Sequence, residues 1–232
     1  MSVLHSLRVV GAMAGVTARI ARDAAFGHLH RASVDEETRW FGRRVVELLG
    51  IDLVVRGQDR VPPDQAYVYM SNHQSHLDIP VLYACLPSPT IRMLAKRELF
   101  DIPVWGWGLR QAEFVEVDRH SHTKAVASIG AAARLITSGV SIYLAPEGTR
   151  SKDGRIGPLK KGGFHLALDT GAPIVPVALS GTGAILPPGA KAMRTGCRVE
   201  VEIGAPIAVA GRTVDELRAE VAAFLAAHVA AP

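Results

Sequence analysis

After Gly50 the sequence changes rhythm, and this change limits the fold more than any other feature of the chain. Short runs rich in β-branched and aliphatic residues begin to alternate with helical stretches. The strand candidates are Ile51–Val55, Ala66–Ser71, Ile91–Ala95, Glu113–Val117, Val140–Ala145, Ile174–Leu179 and Arg198–Ile203. Helices are expected over Pro80–Leu86, Ile102–Leu109, His122–Thr137, Gly162–Thr170 and Val214–His228. Strand-helix alternation calls for an α/β domain with a mixed, largely parallel sheet flanked by helices, because parallel neighbours need crossover connections. No internal repeat or long linker interrupts the pattern. The Gly- and Pro-rich stretch Gly181–Gly196 reads as a surface excursion, and its Gly181-Thr182-Gly183 run is too short to carry a motif.

Residues 1–49 follow a different logic and form a separate N-terminal element, leaving 50–232 for the α/β domain. On a helical wheel of about 100° per residue, Arg8, Arg19 and Arg22 fall within roughly 60° of one another. Val3, Leu7, Val10, Met13, Ala14, Ile20, Ala21 and Ala25 lie opposite. Ser2–Leu29 is therefore an amphipathic helix with a basic stripe, of a kind that lies in a membrane interface or packs on its own domain. The uninterrupted apolar run, Val9 to Ala18, is about half the ~20 residues that a bilayer span requires, so neither a transmembrane helix nor a cleaved signal is expected. A second helix is expected over Asp35–Leu49, capped by Ser33 or Asp35 and ended by Gly50.

The composition is globular, with 48% hydrophobic and 21% charged residues in 232. Lys and Arg exceed Asp and Glu by 26 to 22, which fits anionic partners such as phosphate groups. No dense basic stripe with aromatics and no recognition motif points to nucleic acid. Cys85 and Cys197 lie outside any C-x-x-C pattern and read as reduced, partly buried thiols.

Two segments carry chemistry. The first, Ser71-Asn72-His73-Gln74-Ser75-His76-Leu77-Asp78, follows an apolar strand, where ligand sites of α/β sheets gather. His73 and Asp78 would diverge by about 140° on a continuous helix, so a turn is needed to bring them together. A histidine held by a carboxylate is a general base. Two imidazoles and a carboxylate, His73, His76 and Asp78, also satisfy a metal site. On spacing alone the base, metal and structural readings all stay open. No G-x-S-x-G surrounds any serine, so an activated hydroxyl would belong to the substrate.

The second segment, Ala145-Pro146-Glu147-Gly148-Thr149-Arg150, also follows a strand. Lys152, Arg155, Lys160 and Lys161 come just after it and create a positive field suited to phosphate. It is not a Walker loop. Lys96, Arg97 and Arg119 flank other strands; each alone is more often a surface charge than a ligand, but together they allow a convergent anion pocket.

These blocks resemble the 1-acylglycerol-3-phosphate acyltransferases. The resemblance rests on His73-x4-Asp78, on Glu147-Gly148-Thr149-Arg150 about seventy residues later, on Phe114 to Arg119, on Ile174-Val175-Pro176-Val177, and on Lys96-Arg97-Glu98-Leu99. It covers roughly Leu49 to Leu179. It implies that His73 deprotonates the acceptor hydroxyl, that Asp78 orients His73, and that Glu147, Gly148, Thr149 and Arg150 bind the acceptor. Lys96 and Arg119 would contact the glycerol phosphate, and Val175 and Pro176 would shape the acyl region. The implied reaction moves an acyl group from acyl-CoA or acyl carrier protein to a lysophospholipid, with no metal or redox cofactor. Lysophosphatidic acid is the first acceptor; another lysophospholipid or an aminolipid is the alternative. The family's aromatic residue before Pro-Glu-Gly-Thr-Arg is replaced here by Ala145, which bears on pocket width. Bacterial relatives resemble a two-helix element that dips into one leaflet, so the resemblance places residues 1–49 at the cytoplasmic face of the cell membrane.

Overall fold

Strand β2, Val68–Ser71, shows how the sheet is buried. Tyr67 and Tyr69 point into one apolar cluster, Val68 and Met70 into another on the opposite face. Both faces of this strand are dry, as a central parallel strand covered by helices requires. The structure, a computed structural model, describes residues 3–118, 122–151, 153–190 and 192–229.

Two helices open the described chain, α1 (Val3–Ala25) and α2 (Arg31–Leu49). Then follow β1 (Asp52–Arg56), a 3-10 turn at Gln58–Arg60, β2, α3 (Asp78–Cys85), β3 (Ile91–Lys96), α4 (Arg97–Phe100), α5 (Trp105–Gln111) and β4 (Val115–Val117). The remainder is α6 (His122–Thr137), β5 (Ser141–Leu144), α7 (Gly162–Thr170), β6 (Ile174–Ser180), α8 (Thr182–Ile185), β7 (Arg198–Ile203) and α9 (Val214–His228). The seven strands form one sheet in the order β1-β7-β6-β2-β5-β3-β4. All neighbours are parallel except β6 and β7, which run antiparallel. The expected mixed, largely parallel sheet is what forms.

The strand order creates a switch point. From β2 the chain crosses through α3 to β3 on one side, and from β5 it crosses through α7 to β6 on the other. Val81 and Leu82 of α3 pack in one cluster, Phe164 and Leu166 of α7 in the cluster on the opposite face. The carboxyl ends of the neighbouring strands β2 and β5 therefore flank a crevice, the usual place for a ligand in an open α/β sheet.

The N-terminal helices are joined to this body. Val45 and Leu49 of α2 are fully buried in the same cluster as β6 and β7, and burying such side chains contributes ~1.5–3 kcal/mol each. The boundary at Leu49 is thus one of sequence rhythm rather than of packing. Helix α2 starts at Arg31, four residues before the expected Asp35, because the Ser33 hydroxyl accepts the His30 N–H. Asp35 instead accepts from Thr90 and from the buried Arg92 of β3. Gly50 closes the helix with a left-handed φ of 57°.

In α1 the expected apolar face is divided. Of that face Ile20 is buried, whereas Val3, Leu7 and Val10 are exposed; the buried Val9 and Val16 lie outside the face the sequence predicts. The basic stripe is not free either: Arg19 pairs with Glu37 and stacks over Trp40, and Arg22 pairs with Asp23. The helix has 23 residues and by length and composition alone could cross a membrane, although the apolar run within it is short.

Candidate active site

The crevice at the switch point is lined by the loops that leave β2 and β5. Beyond Ser71 the sheet is extended by a side chain: Asn72 Nδ2 donates to Leu179 O and its Oδ1 accepts from Leu179 N, both at 2.8 Å. This pins the chain to β6 immediately before His73. The backbone then turns so tightly that Asp78, first residue of α3, comes back over the loop. Its Oδ2 accepts the N–H groups of Gln74 (2.8 Å) and Ser75 (3.0 Å) and meets His73 Nδ1 at 2.6 Å. The spacing that a continuous helix would splay is closed by these two backbone bonds.

Asp78 Oδ2 already accepts two backbone N–H groups, so its contact with His73 assigns the ring proton to Nδ1. Nε2 then carries the lone pair, with no hydrogen-bond partner among the described residues. Asp78 is fully buried and His73 is only partly exposed. The other Asp78 oxygen, Oδ1, accepts from the Thr182 hydroxyl. This corrects the sequence reading of Gly181–Gly196 as a surface excursion: Thr182, Ile185 and Leu186 are buried.

The β5 loop braces the β2 loop. Glu147 Oε1 accepts from His73 N and Oε2 from Gly157 N, each at 2.8 Å. Ser151 N donates to His73 O at 2.7 Å. Both carboxylate oxygens of Glu147 are thus taken up by backbone, which leaves it as a brace within the loop. Burial, the larger effect, raises its pKa above the ordinary glutamate value, and the two N–H donors partly offset that. Gly148 has φ +69°, a left-handed conformation that favours glycine, and the end of the Lys160 side chain lies 2.8 Å from where a Cβ would stand. Thr149 is exposed. Arg150 is half-buried and has no ion-pair partner among the described residues. His76 stands near Arg150 and His73; partial desolvation, then the Arg150 charge, holds its pKa below the ordinary histidine value.

The remaining sequence candidates fall elsewhere. Lys96, at the end of β3, is exposed and lies 3.2 Å from Glu98. Arg97 pairs with Asp118. Arg119 and Lys152 lie outside the described residues. Val175 and Pro176 are buried in the middle of the sheet, where Pro176 O accepts from Gly204 N. Neither borders an apolar cavity of about 120 Å³ that opens between α1, α2, α3, β3 and α5. Met13, Val16, Ile79, Met93, Ala95 and Leu109 are among its walls. Among the described residues, no group of three His, Cys, Asp or Glu side chains is arranged to hold a metal ion.

The sequence comparisons agree with this geometry. The family model Acyltransferase matches residues 52–180, more than half of the chain. The chain is similar to the chloroplastic 1-acyl-sn-glycerol-3-phosphate acyltransferase BAT2 of Brassica napus, with 39% identity over 72% of this chain and 49% of that protein. It is 34% identical to the mouse 1-acyl-sn-glycerol-3-phosphate acyltransferase alpha, over 74% of this chain and 60% of that one. The chain thus spans about half the length of the curated relatives it matches. Its fold is similar to the crystal structure of the 1-acyl-sn-glycerophosphate acyltransferase PlsC from Thermotoga maritima, with a TM-score of 0.81 and 29% identity, covering 98% of this chain and 92% of that one. A chain whose matched segment holds His73, Asp78 and the Glu147–Arg150 turn at one switch point belongs to the acyltransferase family.

Proposed function

We propose that this chain transfers a fatty-acyl group from an acyl thioester, acyl-CoA or acyl carrier protein, to the sn-2 hydroxyl of 1-acylglycerol-3-phosphate, giving phosphatidic acid. The observation that carries the proposal is the His73–Asp78 pair, with Nδ1 held at 2.6 Å and Nε2 left free. Nε2 takes the proton of the acceptor hydroxyl as its oxygen attacks the thioester carbonyl. Asp78 stabilises the imidazolium that forms. Collapse of the tetrahedral intermediate breaks the carbon–sulfur bond, and the leaving thiolate takes the proton back from His73. Base and nucleophile are then accounted for by one side chain and the substrate.

The acceptor's phosphate fits the guanidinium of Arg150, which has no ion-pair partner among the described residues, with the Lys160 ammonium beside Gly148 adding positive field. Lys96 and Arg119 remain candidates for the same phosphate, Thr149 for a hydroxyl contact. The names of the relatives support this acceptor. The cavity walled by Met13, Ala95 and Leu109 is the seat we assign to part of the acyl chain, in place of Val175 and Pro176. Apolar cavities of about this size stay dry and take up hydrocarbon.

The exposed apolar side of α1 (Val3, Leu4, Leu7 and Val10), together with Ile102, Val104 and Trp107 around α5, is the side we assign to the cytoplasmic membrane surface. Helix α1 lies along the interface in this reading. Its opposite face is fixed to the domain through Val9, Val16, Ile20 and the Arg19–Glu37 pair, which a bilayer-crossing helix could not maintain.

The test mixes the protein in liposomes with lysophosphatidic acid and labelled long-chain acyl-CoA, with and without chelator, beside His73→Ala. Phosphatidic acid formed by the wild type, unaffected by chelator and reduced about 10²–10⁴-fold in the variant, is the expected result. Full activity in a folded His73→Ala protein overturns the assignment of the base. A clear preference for another lysolipid overturns the acceptor.

A further inference from the structure

We propose that Thr182 is a positioning residue of the His73–Asp78 pair, supplied by a segment that lies beyond the part of the chain the family model matches. The proposal rests on the acyl-transfer reading for its kinetic consequences but not for its structural ones. Asp78 divides its hydrogen bonds unequally. Oδ2 takes three donors, from His73 Nδ1 and the N–H groups of Gln74 and Ser75, whereas Oδ1 takes a single side-chain donor, the Thr182 hydroxyl. Both residues are fully buried, so no solvent stands in for that hydroxyl.

The backbone around Thr182 is shaped to deliver it. Gly181 has φ +98°, and a Cβ there would meet Arg198 O at 2.3 Å, so only glycine allows the chain to leave β6 so close to β7. Ser75 Oγ donates to Leu186 O at 2.9 Å, and Asn72 holds Leu179 from both sides. The segment from Leu179 to Leu186 is therefore tied to the His73 loop at three places: Asn72, Asp78 and Ser75. A rigid frame on both sides fixes where the Thr182 hydroxyl points.

The physical role follows from the carboxylate's freedom to rotate about its Cβ–Cγ bond. With Oδ1 bonded to Thr182, the carboxylate plane is set and Oδ2 stays in line with His73 Nδ1. Without the hydroxyl, Oδ1 is a buried acceptor with no donor, a costly state that rotation relieves by sharing the Gln74 and Ser75 N–H groups between both oxygens. The bond to Nδ1 then weakens, and the imidazole proton is no longer confined to Nδ1. An imidazole protonated on Nε2 cannot accept a proton from substrate there. Thr182 thus acts through Asp78 on the tautomer of His73.

Three full-length variants test this: Thr182→Val keeps the shape without the hydroxyl, Thr182→Ser keeps the hydroxyl, and Thr182→Ala serves if the valine variant fails to fold by circular dichroism. The readouts are kcat and KM for lysophosphatidic acid and acyl-CoA, and the ¹⁵N chemical shifts of His73, which report the tautomer without substrate. The expected result is a loss of about tenfold in kcat for Thr182→Val, with both KM values unchanged, together with a larger Nε2–H tautomer fraction. Thr182→Ser should restore kcat to within about twofold and the wild-type ¹⁵N pattern. Wild-type kcat and tautomer in the folded variant lacking the hydroxyl overturn the proposal, as does equal loss in Thr182→Ser and Thr182→Val, which would trace the effect to the methyl group. If the wild-type protein shows no acyl transfer, the function reading fails, and the ¹⁵N shifts still decide the role of Thr182.

Discussion

Glu147 accepts the backbone N–H of His73 at 2.8 Å, across 74 positions of sequence. One oxygen of a nearly inaccessible carboxylate thereby holds the base loop, while the other holds Gly157 on its own loop. The turn that the family resemblance assigns to acceptor binding begins with a residue whose hydrogen bonds all go to the protein.

Replacing Glu147 by Gln turns one accepting oxygen into a donor that faces a backbone N–H. A buried N–H without an acceptor costs roughly 1–3 kcal/mol. Glu147→Gln is expected to lower the urea midpoint by about that energy and to reduce kcat, because the His73 backbone loses its anchor. The difference depends on pH. Burial raises the folded-state pKa of Glu147, so as pH falls the folded chain takes up this proton before the unfolded chain does. Wild-type stability should therefore rise relative to Glu147→Gln as pH falls from the raised value to the ordinary glutamate value. Urea unfolding of both proteins across that range checks it.

Arg150→Ala removes a guanidinium that has no ion-pair partner among the described residues to leave behind. Stability should be unchanged. KM for an anionic lysolipid should rise about 10- to 100-fold, with KM for the acyl donor unaffected. Raising the salt concentration should weaken acceptor binding in the wild type more than in the variant, since salt screens the lost interaction.

Ala95 sits on β3 at the wall of the apolar cavity. Ala95→Leu pushes extra carbons into a space of about 120 Å³. Overpacking of this kind costs typically 1–3 kcal/mol. The longest acyl thioesters should lose about tenfold in kcat/KM relative to shorter ones, measured over a series of acyl-CoA chain lengths.

Leu7 and Val10 are 63% and 51% exposed on α1. Leu7→Glu combined with Val10→Glu removes apolar surface that lies mostly outside the core, so the thermal midpoint should change little. Liposome flotation should show binding reduced at least about tenfold. A double variant that floats like the wild type would move the membrane-facing side elsewhere.

The central strands were legible in the sequence because each is a short apolar run between turn residues, as a strand buried on both faces must be, and β7 because Val and Ile alternate with charged residues. All seven were located, with ends shifted by two residues or fewer. Strand order was not legible. Nothing in the residues of β2 and β5 says that they are neighbours, so the two chemical segments could be placed at strand ends but not beside each other. The short helices α4 and α8 have no sequence signature, since four residues make too little periodicity. Glycine and proline mark Gly181–Gly196 as loop, but composition carries no information on burial, so nothing in the sequence singles out Thr182. The sequence places Arg19 in a basic stripe but does not show its pairing, because its partner Glu37 lies on the other helix. The local pair of His73 and Asp78 was visible; the brace from Glu147 and the hydroxyl from Thr182 depend on contacts across the sheet.

The Asn72 side chain behaves as one more residue of the central ladder, and this sets how the base loop can move. Leu179 N donates its hydrogen to Asn72, so that amide is released to solvent only when the loop before His73 detaches from β6. Its hydrogen-exchange rate is therefore a gauge of the site itself. An amide that exchanges as slowly as the rest of β6 would mean that His73 never leaves its position without global unfolding, and that both substrates must be brought to a stationary base.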